Sequence, residues 1–147
     1  MDKYVIFDMD GTLADASGRQ HHLQKEPQDW DAFFNDIPHD PPIIALAELY
    51  AAFHRAGDYK LAVFTGRPEK YKAMTEEWMA KHNLPPCPIY CRPDNDTRHD
   101  LDVKRDIYNN FVKDGRQIAF IIEDRNTVVK MWRDMGVVCL HCFDADF

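Results

Sequence analysis

Residues 4–12 read YVIFDMDGT, from Tyr4 to Thr12. The apolar run is short and made of β-favouring residues, so it forms a buried strand over Tyr4–Asp8 rather than a helix. It ends on two carboxylates, Asp8 and Asp10, and on Gly11, which lets the backbone turn sharply. A strand that delivers acids to its own carboxyl end puts them where open α/β sheets build their sites.

The same arrangement recurs downstream. Lys60–Thr65 (KLAVFT) is a second strand, followed by Gly66-Arg67-Pro68, and Gln117–Ile122 (QIAFII) is a fourth, followed by Glu123-Asp124-Arg125. Ile89–Cys91 is a short third strand and Val137–Cys142 the last. Between them lie helical patterns. Pro41-Pro42 opens a helix with Ile43, Ile44, Leu46, Ala47, Leu49, Tyr50 and Phe53 on its apolar side, and Gly57 ends it. Pro68 is expected in the first turn of the next helix, where Tyr71, Met74, Trp78 and Met79 recur at helical spacing until Pro85, Pro86 and Pro88 break it. Residues 100–113 turn Val103, Ile107, Phe111 and Val112 inward, and residues 126–135 form a short helix stopped at Gly136. Apolar strands alternating with amphipathic helices predict an α/β fold: a mostly parallel, Rossmann-like sheet with helices on both faces. The polar stretch 14–41, with an aromatic island at Trp30, Phe33 and Phe34, reads as a minimal cap insert. The island either forms a small satellite core or stacks on a base.

The chain has 147 residues, 45% hydrophobic and 29% charged, which fits one domain spanning 1–147 and excludes a disordered chain. No apolar run approaches the roughly 20 residues that cross a bilayer, and MDKYVIFD does not read as a signal peptide. A cytoplasmic protein is expected, in the host cytoplasm if the source is viral. The net charge of −7 gives little general attraction for nucleic acid, although the arginines cluster locally. Cys87, Cys91, Cys139 and Cys142 have zinc-like spacing, but Cys139 and Cys142 would diverge on an extended strand, so reduced thiols are expected. His21, His22, His39 and His99 read as surface histidines.

Strand order brings the loops after the first, second and fourth strands together, with Lys104 on the helix before the fourth strand. Carboxylates at that density repel unless a cation joins them, and oxygen ligands of this kind suit Mg²⁺.

The segment FDMDGT resembles the first motif of the haloacid-dehalogenase-like (HAD) phosphatase superfamily. Thr65, Lys104 and Glu123-Asp124 stand in order as its second, third and fourth motifs. Within it, GTLADASGR, FTGRP, CRPDNDTRHDLDVK, EDRNTVVKMWRDMGVVC and the final DADF look like the 3′-phosphatase domain of phage-type polynucleotide kinase–phosphatases. Thr65 stands for a serine of that pattern and Glu123 for an aspartate, and both keep the functional group. No G-x4-G-K-[ST] segment occurs, so no ATP-binding kinase domain is expected in this chain.

The resemblance implies a Mg²⁺-dependent phosphomonoesterase that removes 3′-phosphate from nucleic-acid ends or nucleotides through an aspartyl-phosphate. Asp8 would be the nucleophile and Asp10 the acid/base, with a pKa raised by neighbouring carboxylates. Lys104 would neutralise the phosphate, and Thr65 and the Gly66 N–H would hold its oxygens, with a helix N-cap as the other reading of Thr65. The metal would be held by Asp8, the Asp10 carbonyl and Asp124, with Glu123 acting through water or pairing with Arg125. Arg19, Arg67, Arg92 and Arg98 would bind phosphate, and Asp100 would orient an arginine or Lys104 or else cap a helix. Two alternatives have the same chemistry at hand: a HAD phosphatase acting on a small metabolite or phosphoprotein, and a receiver-like domain that accepts phosphate on Asp8 without turnover. Asp10, an acid/base a mere acceptor does not need, argues against the second.

Overall fold

The computed structural model describes residues 2–146; Phe147 of the closing DADF lies outside the described residues. Five parallel strands form one sheet: β1 (Lys3–Phe7), β2 (Lys60–Pro68), β3 (Ile89–Arg92), β4 (Gln117–Arg125) and β5 (Cys139–Ala145), in the order β3-β2-β1-β4-β5. The helices are α1 (Trp30–Asn35), α2 (Ile44–Ala56), α3 (Lys72–Lys81), α4 (Asp100–Lys113) and α5 (Asn126–Asp134).

Alternation along the strands divides the core. Val5, Phe7, Leu61 and Val63 face one side, packed with Leu46 and Tyr50 of α2 and Trp78 and Met79 of α3. Ile6, Ala62, Phe64 and Ile121 face the other, with Val103, Ile107 and Phe111 of α4 and Val128, Val129 and Trp132 of α5. The helices therefore cover both faces of the sheet, each burying its apolar side. Cys139 and Cys142 fall on opposite faces, as alternation requires, and all four cysteines are thiols.

The connections run outward from β1 in both directions, so the order reverses between β1 and β4. Phe7 pairs with Ile122, and the Asp8 amide donates to the Ile122 carbonyl at 3.0 Å. Asp8 and Glu123 thus leave the sheet side by side at the reversal, where the crevice of such a fold opens.

Several element ends depart from the sequence reading. Pro68 closes β2 instead of opening a helix, and α3 follows a single 3-10 turn at Glu69–Tyr71. β4 runs on to Arg125, because Glu123 and Arg125 pair with His141 and Ala145. β5 begins at Cys139 rather than Val137 and reaches Ala145. The polar stretch is also more ordered than its composition suggests. It holds 3-10 turns at Ser17–Gln24 and Ile37–His39 and the six-residue α1, whose cap Asp29 accepts from the Ala32 amide at 3.1 Å. So short a helix is held by packing rather than propensity. Phe33 and Phe34 are buried in the main core beside Leu13, Tyr71 and Trp78, not in a satellite, while Trp30 stays half exposed and stacks on Phe34.

Candidate active site

Two groups of charged side chains meet beyond the carboxyl ends of β1, β2 and β4. In the first, Lys104 of α4 places Nζ 2.7 Å from Asp8 Oδ1 and 2.7 Å from Glu123 Oε1. The Thr12 hydroxyl lies 3.1 Å from Asp8 Oδ2 and 3.3 Å from Asp124 Oδ1. Asp8, Glu123 and Asp124 are all buried and each offers an oxygen within 4.8 Å of the others. Three carboxylates against one ammonium leave this group two positive charges short.

The second group balances itself. Asp10 accepts from Arg19 Nη2 at 2.7 Å and from both Nε and Nη2 of Arg67, the former at 3.2 Å. Asp40 accepts from Arg19 Nε at 2.9 and 3.1 Å and from Nη2 at 2.8 Å. Arg19 Nη1 donates to the Phe33 carbonyl at 3.2 Å, and Arg67 Nη1 to Thr75 Oγ1 at 2.9 Å. Two guanidiniums and two carboxylates cancel.

Residues 2–147 match the family whose description is "Polynucleotide kinase PNKP phosphatase domain". The chain belongs to that family. Its fold superposes on the structure of the Pnkp1/Rnl/Hen1 RNA repair complex with a TM-score of 0.86 and 27% identity, covering 100% of this chain and 44% of that one. A protein of Autographa californica nuclear polyhedrosis virus, named as a bifunctional polynucleotide kinase/RNA ligase, is 24% identical over 134 residues, 90% of this chain and 18% of that protein. The chain therefore spans less than half the length of these relatives. CbbY from Rhodobacter sphaeroides in complex with phosphate shares the fold at 14% identity, with a TM-score of 0.61, over 100% of this chain and 88% of that one. The phosphatase domain is thus a HAD-type α/β fold, and no helix among its described residues is long and apolar enough to cross a membrane.

The electrostatics of the two groups differ sharply. At Asp8, burial pushes the pKa up, but the Lys104 charge together with hydrogen bonding from Asp124, Glu123 and Lys104 outweighs it, and the carboxyl stays below its ordinary value. Burial and the Asp8 charge together hold Glu123 well above the usual carboxylate range and push Asp124 up to about 8. Lys104 is held well above its ordinary value, because Asp8, Glu123 and Asp100 overcome the cost of burying it. The strain in this group is unmet negative charge, and a divalent cation would relieve it. The donors fit Mg²⁺, a hard ion that takes carboxylate and carbonyl oxygen.

Asp10 is not part of that strain. Burial raises it, but Arg67 and Arg19 bring it down to about 2. The expected rise beside other carboxylates is overturned because Asp10 turns to the arginines.

The remaining sequence candidates divide between the crevice and its supports. Thr65 lies inside β2, buried, and accepts from the Arg67 amide at 3.2 Å, so it caps no helix. Gly66 lies against Asp100, whose carboxylate a Cβ would overlap, and Gly11, at φ +85°, lies likewise against Asp124. Asp100 opens α4 as its first residue, while His99 is the cap and accepts from the Leu101 amide at 3.1 Å. From there Asp100 comes within 3.4 Å of Arg92, 3.6 Å of Arg125 and 3.9 Å of Lys104. Arg92 staples the β3–α4 loop: Nε donates to the Gly66 carbonyl at 2.8 Å, and Nη1 to the carbonyls of Asp96 at 3.0 Å and Arg98 at 2.6 Å. Arg98 is exposed and pairs with Asp96 at 2.9 Å and Asp106 at 2.6 Å. Glu123 pairs with Lys104 rather than with the Arg125 guanidinium, and its other oxygen accepts from the Asp124 amide at 3.2 Å.

Three contributors carried no assigned role in the sequence. Thr12 is the last letter of DMDGT, and a hydroxyl four residues past Asp8 on a tight turn was the available signal. Asp40 looked like any other aspartate of a polar loop, and Thr75 like a polar position on the α3 surface.

Proposed function

We propose that the chain hydrolyses phosphomonoesters at the 3′ ends of nucleic acids or nucleotides through an aspartyl-phosphate on Asp8. The observation that carries this reading is the buried group Asp8–Lys104–Glu123–Asp124, short of positive charge, set beside an Asp10 that belongs to a different, neutral group. An Asp8 oxygen attacks phosphorus as the bond to the 3′ oxygen breaks. Lys104, already on Asp8, neutralises charge on the phosphoryl oxygens, and the Thr65 hydroxyl and Gly66 amide hold them. Mg²⁺ would be held by Asp8, Asp124 and the Asp10 carbonyl, with Glu123 reached through water, and would supply the charge that lets two anions meet.

Asp10 handles the protons. Held ionised by Arg19 and Arg67, it is ready to take a proton from the water that attacks the aspartyl-phosphate. To serve the leaving alkoxide Asp10 takes up a proton from solvent when the substrate's negative charge draws the guanidiniums away from it, and it passes that proton to the 3′ oxygen as the P–O bond breaks. Arg19 and Arg67 therefore act on Asp10 first and on phosphate second. The test compares 3′-phosphate, 5′-phosphate and 2′,3′-cyclic oligonucleotides with the matching mononucleotides. Release of phosphate from the 3′ esters, abolished by Asp8→Asn and by EDTA, is the expected result; activity that survives Asp8→Asn would overturn the covalent route.

A further inference from the structure

A second group of metal-binding donors lies between β1 and α2 and uses none of the residues above. His21 and His22 sit in the 3-10 turn Ser17–Gln24, and Asp36 is the C-terminal cap of α1. The two imidazole rings lie 3.9 Å apart, and His22 Nε2 is 2.6 Å from Asp36 Oδ2. One donor atom from each of the three falls within 4.8 Å of the others. His21 is exposed, while His22 and Asp36 are partly buried.

Two imidazoles and one carboxylate suit Zn²⁺, Co²⁺ or Ni²⁺, ions that favour nitrogen, and leave coordination positions for water. The all-oxygen group at Asp8 suits a hard ion instead. We infer that His21, His22 and Asp36 bind one transition-metal ion. The ion takes the place of the direct contact between His22 Nε2 and Asp36 Oδ2, so both atoms turn from each other to the metal. The charged neighbour is Lys25, whose Nζ lies 3.3 Å from His22 Nδ1; its side chain is 51% exposed and within 3.9 Å of Asp29, towards which it can swing.

The position gives the ion a structural consequence. Arg19 lies two residues before His21 on the same turn, and Asp40 lies four residues after Asp36. Arg19 and Asp40 form the pair that presents Arg19 to Asp10. An ion tying His21 and His22 to Asp36 therefore links the two segments that carry this clamp.

The experiment titrates Co²⁺ into the full chain in excess Mg²⁺ and follows visible absorption. One equivalent with nitrogen-type ligand-field bands is expected, retained by Asp8→Asn and lost in His21→Ala and Asp36→Asn. Each loss should exceed the roughly 10–100-fold that removing an outer partner of a metal ligand costs. His21 is exposed, so its variant keeps the fold, which circular dichroism verifies. Absence of such bands in the wild type, bands unchanged in His21→Ala and Asp36→Asn, or bands lost only in Asp8→Asn would each overturn the assignment.

Discussion

Arg19 and Asp40 hold each other through three hydrogen bonds of 2.8 to 3.1 Å, with both side chains 2% exposed. The guanidinium is held further by Nη1 on the Phe33 carbonyl at 3.2 Å, and Nη2 also reaches Asp10 at 2.7 Å. A pair this buried fixes orientation, and its cost appears when one partner goes. Asp40→Asn keeps the shape but leaves Arg19 short of a counter-charge, so urea unfolding should show a loss of about 3–5 kcal/mol. The rate should fall as Asp10 loses its fixed position, though by less than in Asp10→Asn. Wild-type stability in Asp40→Asn would remove the clamp from this account.

The two acids of DMDGT should fail differently. Asp8→Asn removes the attacking oxygen and should leave no measurable turnover. Asp10→Asn removes proton transfer, which typically contributes about 10²–10⁴-fold, so residual turnover should remain. The gap should narrow with an aryl phosphate, whose leaving group needs no proton. Steady-state rates on both substrates check this; equal losses on the two would argue against Asp10 as the acid.

Unmet charge at Asp8, Glu123 and Asp124 predicts a stability that depends on pH and on metal. Asp124 ordinarily titrates near 3.8, and burial with the Asp8 charge pushes it up to about 8. Between those values the folded chain binds more protons than the unfolded one, so stability falls as pH rises. The penalty is complete above the folded value. Asp10 runs the other way: its contribution is present above 3.8 and is lost only as pH falls through about 2. In EDTA, Tm should therefore decline from about pH 5 to about pH 8, and Mg²⁺ should restore more at the upper end. A Mg²⁺ effect that is the same at both pH values would contradict this.

Gly66 and Gly11 give a cheaper test of the crevice. A Cβ on Gly66 would overlap the Asp100 carboxylate, and one on Gly11 would overlap that of Asp124. Gly66→Ala pushes Asp100 away from Arg92 and Lys104, while Gly11→Ala adds the strain of a positive φ, about 1–3 kcal/mol. Both should lower the rate, and Gly11→Ala should also weaken Mg²⁺ activation. Mg²⁺ titrations of the two variants separate these effects.

The sheet could be read from the sequence because apolar runs such as KLAVFT and QIAFII are too short for buried helices, rich in strand-forming residues, and separated by amphipathic helical patterns. The strand ends could not, because β2 through Pro68 and β4 through Arg125 are set by pairing with β3 and β5, which is invisible in either run alone. At the site, Asp8, Lys104 and Asp124 were legible from position on the fold. The partner of Asp10 was not: proximity along the chain pointed to the acids, whereas Arg19 and Arg67 reach it through space. Asp40 offered no signal, since its burial depends on Trp78, whose Nε1 donates to the Asp40 carbonyl at 2.8 Å across the α3 contact.

If the substrate is a nucleic-acid end, the charge of the chain sets how much of the strand beyond the scissile phosphate it can hold. The chain carries −7, and the arginines around the crevice already have partners within the chain: Arg19 and Arg67 pair with Asp10, Arg92 with loop carbonyls, and the exposed Arg98 with Asp96 and Asp106. Few cations remain at the crevice for the phosphates of a strand. Each single-strand phosphate neutralised adds about −0.7 to the slope of log affinity against log salt, so the slope should be shallow, about −1 to −2. A 3′-mononucleotide should then be hydrolysed comparably to a 3′-phosphorylated oligonucleotide, and a 5′-phosphate poorly. Arg92→Ala should damage turnover on both 3′ substrates alike, because it loosens the loop that positions Asp100 and Gly66 rather than a contact with flanking chain. Rates on the three substrates across a salt series decide it. A steep slope, or an Arg92→Ala defect confined to oligonucleotides, would reveal an extended binding track along the β3–α4 loop.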